Sequence, residues 1–338
     1  MSVVARVIRS GLMTTVQDLG RPGTRHLGIP CGGAMDRLSH RLANRLVGNP
    51  DTAATLEMTL TGEVLQWFQD SVIAVTGADM APEIQGPGEQ REACPQGRPV
   101  SVTAGSVLKF GVARRGCRAY LSIAGGWDVP VVIGSRSTLL RSELGGFNGR
   151  ALHAGDELRG GLHEVELARR SAEAATGWFV RLQDLPSAAG TQLRFVPGTH
   201  FGLLNVESQR LTEQAGFVVR SESDRMGYRL SGPPLCFREP CQIRSEAVVS
   251  GTLQLPPDGQ LLMLMADCAP TGGYPRVGHI ISADLSLAAQ LKPGDRFTLR
   301  KVSQEMALDA AVLQERQFAA AVRLVMLPAC GRCGDAEG

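Results

Sequence analysis

Short apolar or alternating stretches recur along the chain between turn signals: SVIAVTG (71–77), SVLKFGVA (106–113), AYLSIAGG (119–126), TQLRFVPG (191–198), LLMLMAD (261–267) and DRFTLRKV (295–302). A brief apolar or period-two run bounded by glycine and proline predicts a strand. Helical spacing is sparse. DRLSHRLANRLVGN opens at an Asp36 cap, sets Leu38, Leu42, Leu46 and Val47 along one face and stops at Gly48. A second helix is predicted over 303–327, opened by Ser303 and closed before Pro328, with a polar tail expected to fray. The chain therefore reads as mainly β with few helices.

Several features occur twice in the same order. PGTRHLGIP carries Arg25 and RMGYRLSGPP carries Arg229, each followed by a glycine and a proline. Downstream, LEMTLTG and SEAVVSG place Glu57 and Glu246 five residues ahead of Gly62 and Gly251. An apolar strand running into paired glycines comes next, YLSIAGG and then LMADCAPTGG, followed by HAGDEL or KPGDRF. Four features in one order predict an internal repeat and two related barrel-like β units. The first copy carries the helix over 36–48 as an insertion. The weakly periodic stretch 161–190 sets the division, giving a first unit at 1–190, a second at 191–302 and a helix with tail at 303–338.

Composition narrows the function. The 338 residues include 35 basic and 33 acidic side chains, a net charge of +2 that gives no field for nucleic acid or an anionic membrane. The run LLMLMA is too short to span a bilayer, and the N-terminus lacks the apolar core of a signal peptide. Eight cysteines at irregular spacing, with no such signal, predict reduced thiols and a cytoplasmic protein.

The glycine-rich stretch GRPGTRHLGIPCGG (20–33) invites a nucleotide-loop reading, but it has no Gly-Lys-Ser/Thr and its glycines are interrupted by proline. Cys330 and Cys333 in CGRC supply half a zinc site with no second pair, so no metal is expected. His26 is the histidine best placed for chemistry, against the plain alternative of a ring bonded to a turn carbonyl.

Glu57 and Glu246 flank strand residues, where a carboxylate is costly unless paired, and Arg25 and Arg229 are the expected partners, one pair per unit. A structural ion pair and an acid/base role remain equally open for them. Asp79 and Asp267 end apolar strands, as either site residues or turn caps, and Thr271 and Tyr274 share the loop after Asp267.

TTVQDLGRPGTRHLGIPCGGAMD, LEMTLTG, VTGAD, IGSRST, SDRMGYRLSG, SEAVVSGTLQLPPDG and MADCAPTGGYPRVGHIISADL together resemble the biotin-dependent carboxyltransferase family, in its allophanate hydrolase subunit 2 or KipA-like branch. The resemblance covers about residues 3–302. It implies two cyclophilin-like β-barrels and a role as the C subunit of an ATP-hydrolysing 5-oxoprolinase, opening 5-oxo-L-proline to L-glutamate. It further implies two partners, a KipI-like B subunit and a LamB/YcsF-like A subunit, with ATP, with or without Mg²⁺, used at the level of the complex.

Under that resemblance Glu57, Glu246, Asp79 and Asp267 are candidate acid/base or water-orienting groups. Arg25, His26, Arg229, Thr271 and Tyr274 are candidate substrate binders. Two alternatives accompany it: carboxyl transfer to urea or a related small amide from biotin carried on another chain, since this one has no Met-Lys-Met, and regulatory binding of a KipI-like kinase inhibitor. Cys268-Ala269-Pro270 departs from the polar residues expected before Thr-Gly-Gly-Tyr-Pro, which bears on the substrate more than on the fold.

Overall fold

A computed structural model describes residues 2–88, 90–160, 179–182, 185–186 and 190–326. The first half contributes β1 (Val3–Arg9), β2 (Met13–Gln17), β3 (Thr55–Thr59), β4 (Val64–Trp67), β5 (Ser71–Asp79) and β6 (Glu83–Gln85). It continues with β7 (Glu92–Ala93), β8 (Pro99–Val102), β9 (Val107–Lys109), β10 (Arg115–Ile123) and β11 (Glu157–Arg159). These form a six-stranded sheet ordered β11-β1-β4-β9-β6-β7 and a five-stranded sheet ordered β2-β3-β10-β5-β8. Both sheets turn apolar residues into one core, Val7, Leu65 and Leu108 from the first and Leu56, Val75 and Leu121 from the second.

The second half contributes β12 (Thr191–Pro197), β13 (Gly216–Val219), β14 (Gly227–Ser231), β15 (Glu246–Ala247) and β16 (Thr252–Gln254). Its remaining strands are β17 (Leu262–Leu264), β18 (Thr271–Gly272), β19 (Arg276–Ile280) and β20 (Arg296–Lys301). Seven of them close into a barrel, β12-β19-β16-β17-β14-β13-β20, while β15 and β18 pair apart from it. The barrel is antiparallel except where β12 runs parallel to β20. Phe195, Phe217, Leu253, Met263 and Phe297 fill it.

Among the described residues the α-helices are α1 (Arg37–Leu46), α2 (Val206–Gln214), α3 (Ser282–Ala289) and α4 (Gln304–Met326). Asp36 caps α1 as the sequence predicts, its side chain accepting from Ser39 N, and Leu38, Leu42 and Leu46 are buried. Phe318 of α4 joins the cluster formed by that face, so the C-terminal helix packs against the first half. The predicted strand over 261–267 pairs only at Leu262–Leu264, because the chain then turns, with Cys268 N donating to Met265 O at 3.1 Å. β11 and β12 lie on either side of the division expected near residue 190, most of whose upstream stretch lies outside the described residues, as do Cys330 and Cys333. Among the described residues no helix is long and apolar enough to cross a membrane.

Candidate active site between the two halves

The stretch 20–33 is held from both sides. The Asp18 carboxylate accepts from Gly20 N (2.8 Å), Ser135 Oγ (2.6 Å), Arg136 N (2.6 Å) and Ser137 Oγ (2.5 Å), tying QDLGRPG to IGSRST. Arg21, fully buried, donates to Ser137 O at 2.6 Å and Val132 O at 3.1 Å. Across the loop Arg21 N donates to Cys31 O at 2.7 Å, and Gly32 N donates to Ala266 O at 3.2 Å, bringing the loop against the second half. It is a structural clasp between halves, and His26 within it is exposed with Nδ1 2.8 Å from Gly23 O.

Beneath the clasp lies a buried charge network. Glu57, on β3 and 1% exposed, accepts from Met35 N at 2.8 Å and from the Tyr120 hydroxyl at 2.7 Å. Its other oxygen is bonded by Arg225, which comes from the second half just ahead of β14. Arg225 also forks onto Asp267 through Nε at 2.8 Å and Nη2 at 2.9 Å, and donates to Gly33 O at 2.7 Å. Such a bidentate pair is the stronger form of ion pair and fixes orientation. Arg118 on β10 stands 3.8 Å from Glu57 and donates to the Tyr228 hydroxyl and Ala289 O, both at 2.6 Å. Gln290 closes the network, accepting from Cys117 N and Arg118 N at 3.0 Å and donating to Asp36 Oδ2 at 2.7 Å.

Burial works to raise the pKa of Glu57, but Arg225 and Arg118 overcome it and hold the carboxyl below its ordinary range. Burial pushes the Tyr120 hydroxyl well up, helped by Glu57, so it stays a neutral donor. Burial likewise raises Asp36, against hydrogen bonds from Gln290 and Ser39.

The pairing expected within each unit is not the one found. Glu57 is bonded by Arg225 of the other half rather than Arg25, and Glu246 pairs with Arg276 on β19 rather than Arg229. The reason is geometric. On β14 the flanking Tyr228 and Leu230 point into the barrel, so Arg229 between them points out. Arg25 donates to Pro270 O at 2.9 Å. Arg225 escaped the sequence reading although it stands in SDRMGYRLSG. An acid–Arg pair four residues before the arginine chosen there was the available signal. Arg118, in an unremarkable strand, offered none.

The turn at 265–268 separates two clefts along the seam. The smaller, about 320 Å³, is lined by Arg141 of the first half and by Asp224, Arg229, Gln254, Cys268, Thr271 and Glu222 of the second, the last paired with Arg220. The larger, about 680 Å³, includes Arg25, Arg37 and Arg41 from the first half and Cys268, Ser250 and Ser282 from the second. Cys268 lines both, and burial pushes its thiol up to about 11, which keeps it protonated.

Of the candidates, Arg229 and Thr271 therefore meet at one cleft, Arg25 lies at the other, and Asp267 sits with Glu57 behind the wall they share. Asp79 is elsewhere, at a separate 520 Å³ cleft with Glu83 and Arg114, its Oδ1 capping Ala81 N at 2.9 Å. Glu246 is part of the β15–β18 pair, opposite Gly272, and Tyr274 follows β18, 44% exposed.

The chain is similar to several known proteins. A family model described as carboxyltransferase domain, subdomain A and B, matches residues 27–301. The 5-oxoprolinase C subunit of Haemophilus influenzae is 36% identical over 299 residues, covering 87% of this chain and 89% of the relative. Its Escherichia coli counterpart is 36% identical over 313 residues, covering 93% and 96%. The crystal structure of Kluyveromyces lactis urea carboxylase superposes with a TM-score of 0.84 at 29% identity, over 96% of this chain and 30% of that one. With a family match over most of its length and a two-part β architecture closed by buried charge at its seam, this chain belongs to the carboxyltransferase domain family.

Proposed function

We propose that this chain is the C subunit of an ATP-dependent 5-oxoprolinase, acting in the cytoplasm with a KipI-like B subunit and a LamB/YcsF-like A subunit. The observation that carries the reading is the 36% identity, across nearly the whole of both chains, to two proteins named as 5-oxoprolinase C subunits. The smaller cleft supplies the chemistry such a substrate needs. Arg141 and Arg229 reach it from opposite halves, and among the described residues neither guanidinium has a carboxylate within ion-pair distance. Two such guanidiniums suit the carboxylate of 5-oxo-L-proline, and the Thr271 hydroxyl, exposed at the same cleft, can bond the lactam edge.

A lactam is too poor an electrophile for water alone. Attack of its oxygen on the γ-phosphorus forms an O–P bond as the bond to ADP breaks. Water then adds to the ring carbon, and the C–N bond opens to an amine and an acyl phosphate. A second water releases inorganic phosphate and leaves glutamate. The residues of this chain hold the carboxylate and orient the ring, while Asp267, locked by Arg225, fixes the wall between the clefts.

The test is ATP-dependent release of glutamate from 5-oxoproline by this chain co-expressed with the two partner proteins. Arg229→Ala and Arg141→Ala are each expected to raise KM roughly tenfold or more with a smaller change in kcat. No glutamate in any combination overturns the reading. The likeness to urea carboxylase favours one alternative, carboxyl transfer to a small amide from biotin on another chain. Bicarbonate-dependent carboxylation of urea in the same assay would establish it instead.

A further inference from the structure

Arg229, Leu262 and Gln254 form one row across three neighbouring strands, since β14 sets Arg229 opposite Leu262 and β16 sets Gln254 opposite the same residue. Leu253 and Met263 fill the barrel, so Gln254 and Leu262, their neighbours in the chain, face outward as Arg229 does. All three line the smaller cleft. At the usual spacing of strands the backbones of Arg229 and Gln254 stand about 10 Å apart, with the apolar Leu262 as the floor between them. Gln254 is a polar side chain only 3% exposed. Gly272 of β18 makes room for it, because a Cβ at that glycine would lie 2.5 Å from Gln254 Nε2. Nε2 donates to Tyr274 O at 3.2 Å. A carbonyl can only accept, so this bond fixes which end of the amide is nitrogen. Oε1 is therefore the free end, and among the described residues nothing donates to it. An amide oxygen so placed costs free energy unless a donor reaches it from the cleft.

A lactam supplies such a donor. Its ring N–H is next to the carbon that bears the carboxylate, so a 5-oxo-L-proline with its carboxylate on Arg229 brings its N–H along the row toward Gln254 and lays its methylenes on Leu262. We propose that Gln254 is a specificity-determining residue for this substrate, its Oε1 accepting the ring N–H. This rests on the 5-oxoprolinase reading and names the group by which the smaller cleft tells a lactam from a lactone or a cyclic ketone carrying the same carboxylate. With Nε2 drawn to Tyr274 O, the amide meets the ring through its oxygen. The lactam oxygen then keeps its lone pairs for attack on phosphorus.

The test uses the three proteins together, with ATP-dependent glutamate release as the signal and the γ-lactone analogue of 5-oxoproline, a ring oxygen in place of N–H, as competing ligand. In the parent the lactone should inhibit with a Ki at least roughly tenfold above the KM for 5-oxoproline, because its ring oxygen sets a second acceptor against Oε1. Gln254→Met, similar in shape, should raise that KM roughly tenfold with a smaller change in kcat and should not raise the Ki of the lactone, so that discrimination disappears. A glutamine that only supported the fold would weaken both ligands alike. Gly272→Ala repeats the test with the glutamine kept: the new Cβ must displace the flexible end of Gln254, and discrimination should fall there too. Lactone bound by the parent as tightly as lactam overturns the assignment, as does undiminished discrimination in either folded variant. The two readings fail separately. Glutamate formed by the three proteins with a discrimination that ignores Gln254 removes this role and leaves the function. No glutamate from the parent in any combination removes the function, and this role with it.

Discussion

Arg225 holds two carboxylates and a main-chain carbonyl on one buried guanidinium, so replacing it strands Glu57 and Asp267 away from water. Breaking a buried pair from one side typically costs about 3–5 kcal/mol, because the remaining charge is uncompensated. Arg225→Met should lower the free energy of urea unfolding by that amount. Adding Glu57→Gln should restore part of it, since one stranded charge is then gone. A single variant within about 1 kcal/mol of the parent would contradict the burial argument. His40 gives a second residue-level test. Its ring is buried between Thr55 Oγ1 at 2.8 Å and Asp51 O at 3.0 Å, and burial depresses its pKa from 6.5 to about 4. The unfolded chain then takes up the proton first. Stability from this group is complete above pH 6.5, falls as pH drops from 6.5 to about 4, and changes no further below that. His40→Gln should remove that slope, read as urea midpoints measured at pH 7 and pH 5.

Elements were legible where a repeating physical demand wrote them. β5, β10, β12 and β20 carry apolar positions that must face a core, and α1 carries its cap and its stripe in plain view. The clasp at 20–33 was visible as glycine and proline but not as a clasp, since its role depends on what approaches it from distant sequence. Gly33 makes the point. At φ +90°, a Cβ there would lie 2.7 Å from Gly20 N, so an alanine must both adopt a left-handed backbone and displace the facing strand of the loop. Gly23, at φ +86°, has nothing within 4 Å of the same position. Gly23→Ala should therefore cost only the backbone term, about 1 kcal/mol, and Gly33→Ala clearly more, above ~2 kcal/mol. Equal shifts of melting temperature for the two would mean that the clasp gives way freely.

At the scale of the whole molecule, the sequence showed a repeat but invited the wrong pairing rule. Symmetry of motifs suggests that each unit satisfies its own charges, yet the arginine on Glu57 comes from the second half and the Tyr228 hydroxyl that receives Arg118 does too. A repeat says which features recur; it carries no record of which face of one copy meets the other. Because these bonds cross the seam and are buried, neither half can unfold without exposing an unpaired charge in its neighbour, so the halves should melt as one unit. The tryptophans allow this to be checked. Trp67 and Trp127 lie together in the first core, rings 6.1 Å apart, and the sequence places no tryptophan after residue 178. Trp178 lies outside the described residues, so in a Trp178→Phe background, shared by parent and variant, indole fluorescence follows the first half, while hydrogen exchange at Leu253, Met263 and Val277 follows the barrel. In the parent protein the two should report the same urea midpoint. In Arg225→Met they should separate, with one half losing structure at lower urea than the other. Coincident midpoints in that variant would mean that the apolar contacts at the seam couple the halves without the charge network, and separate midpoints in the parent would mean that the network couples nothing.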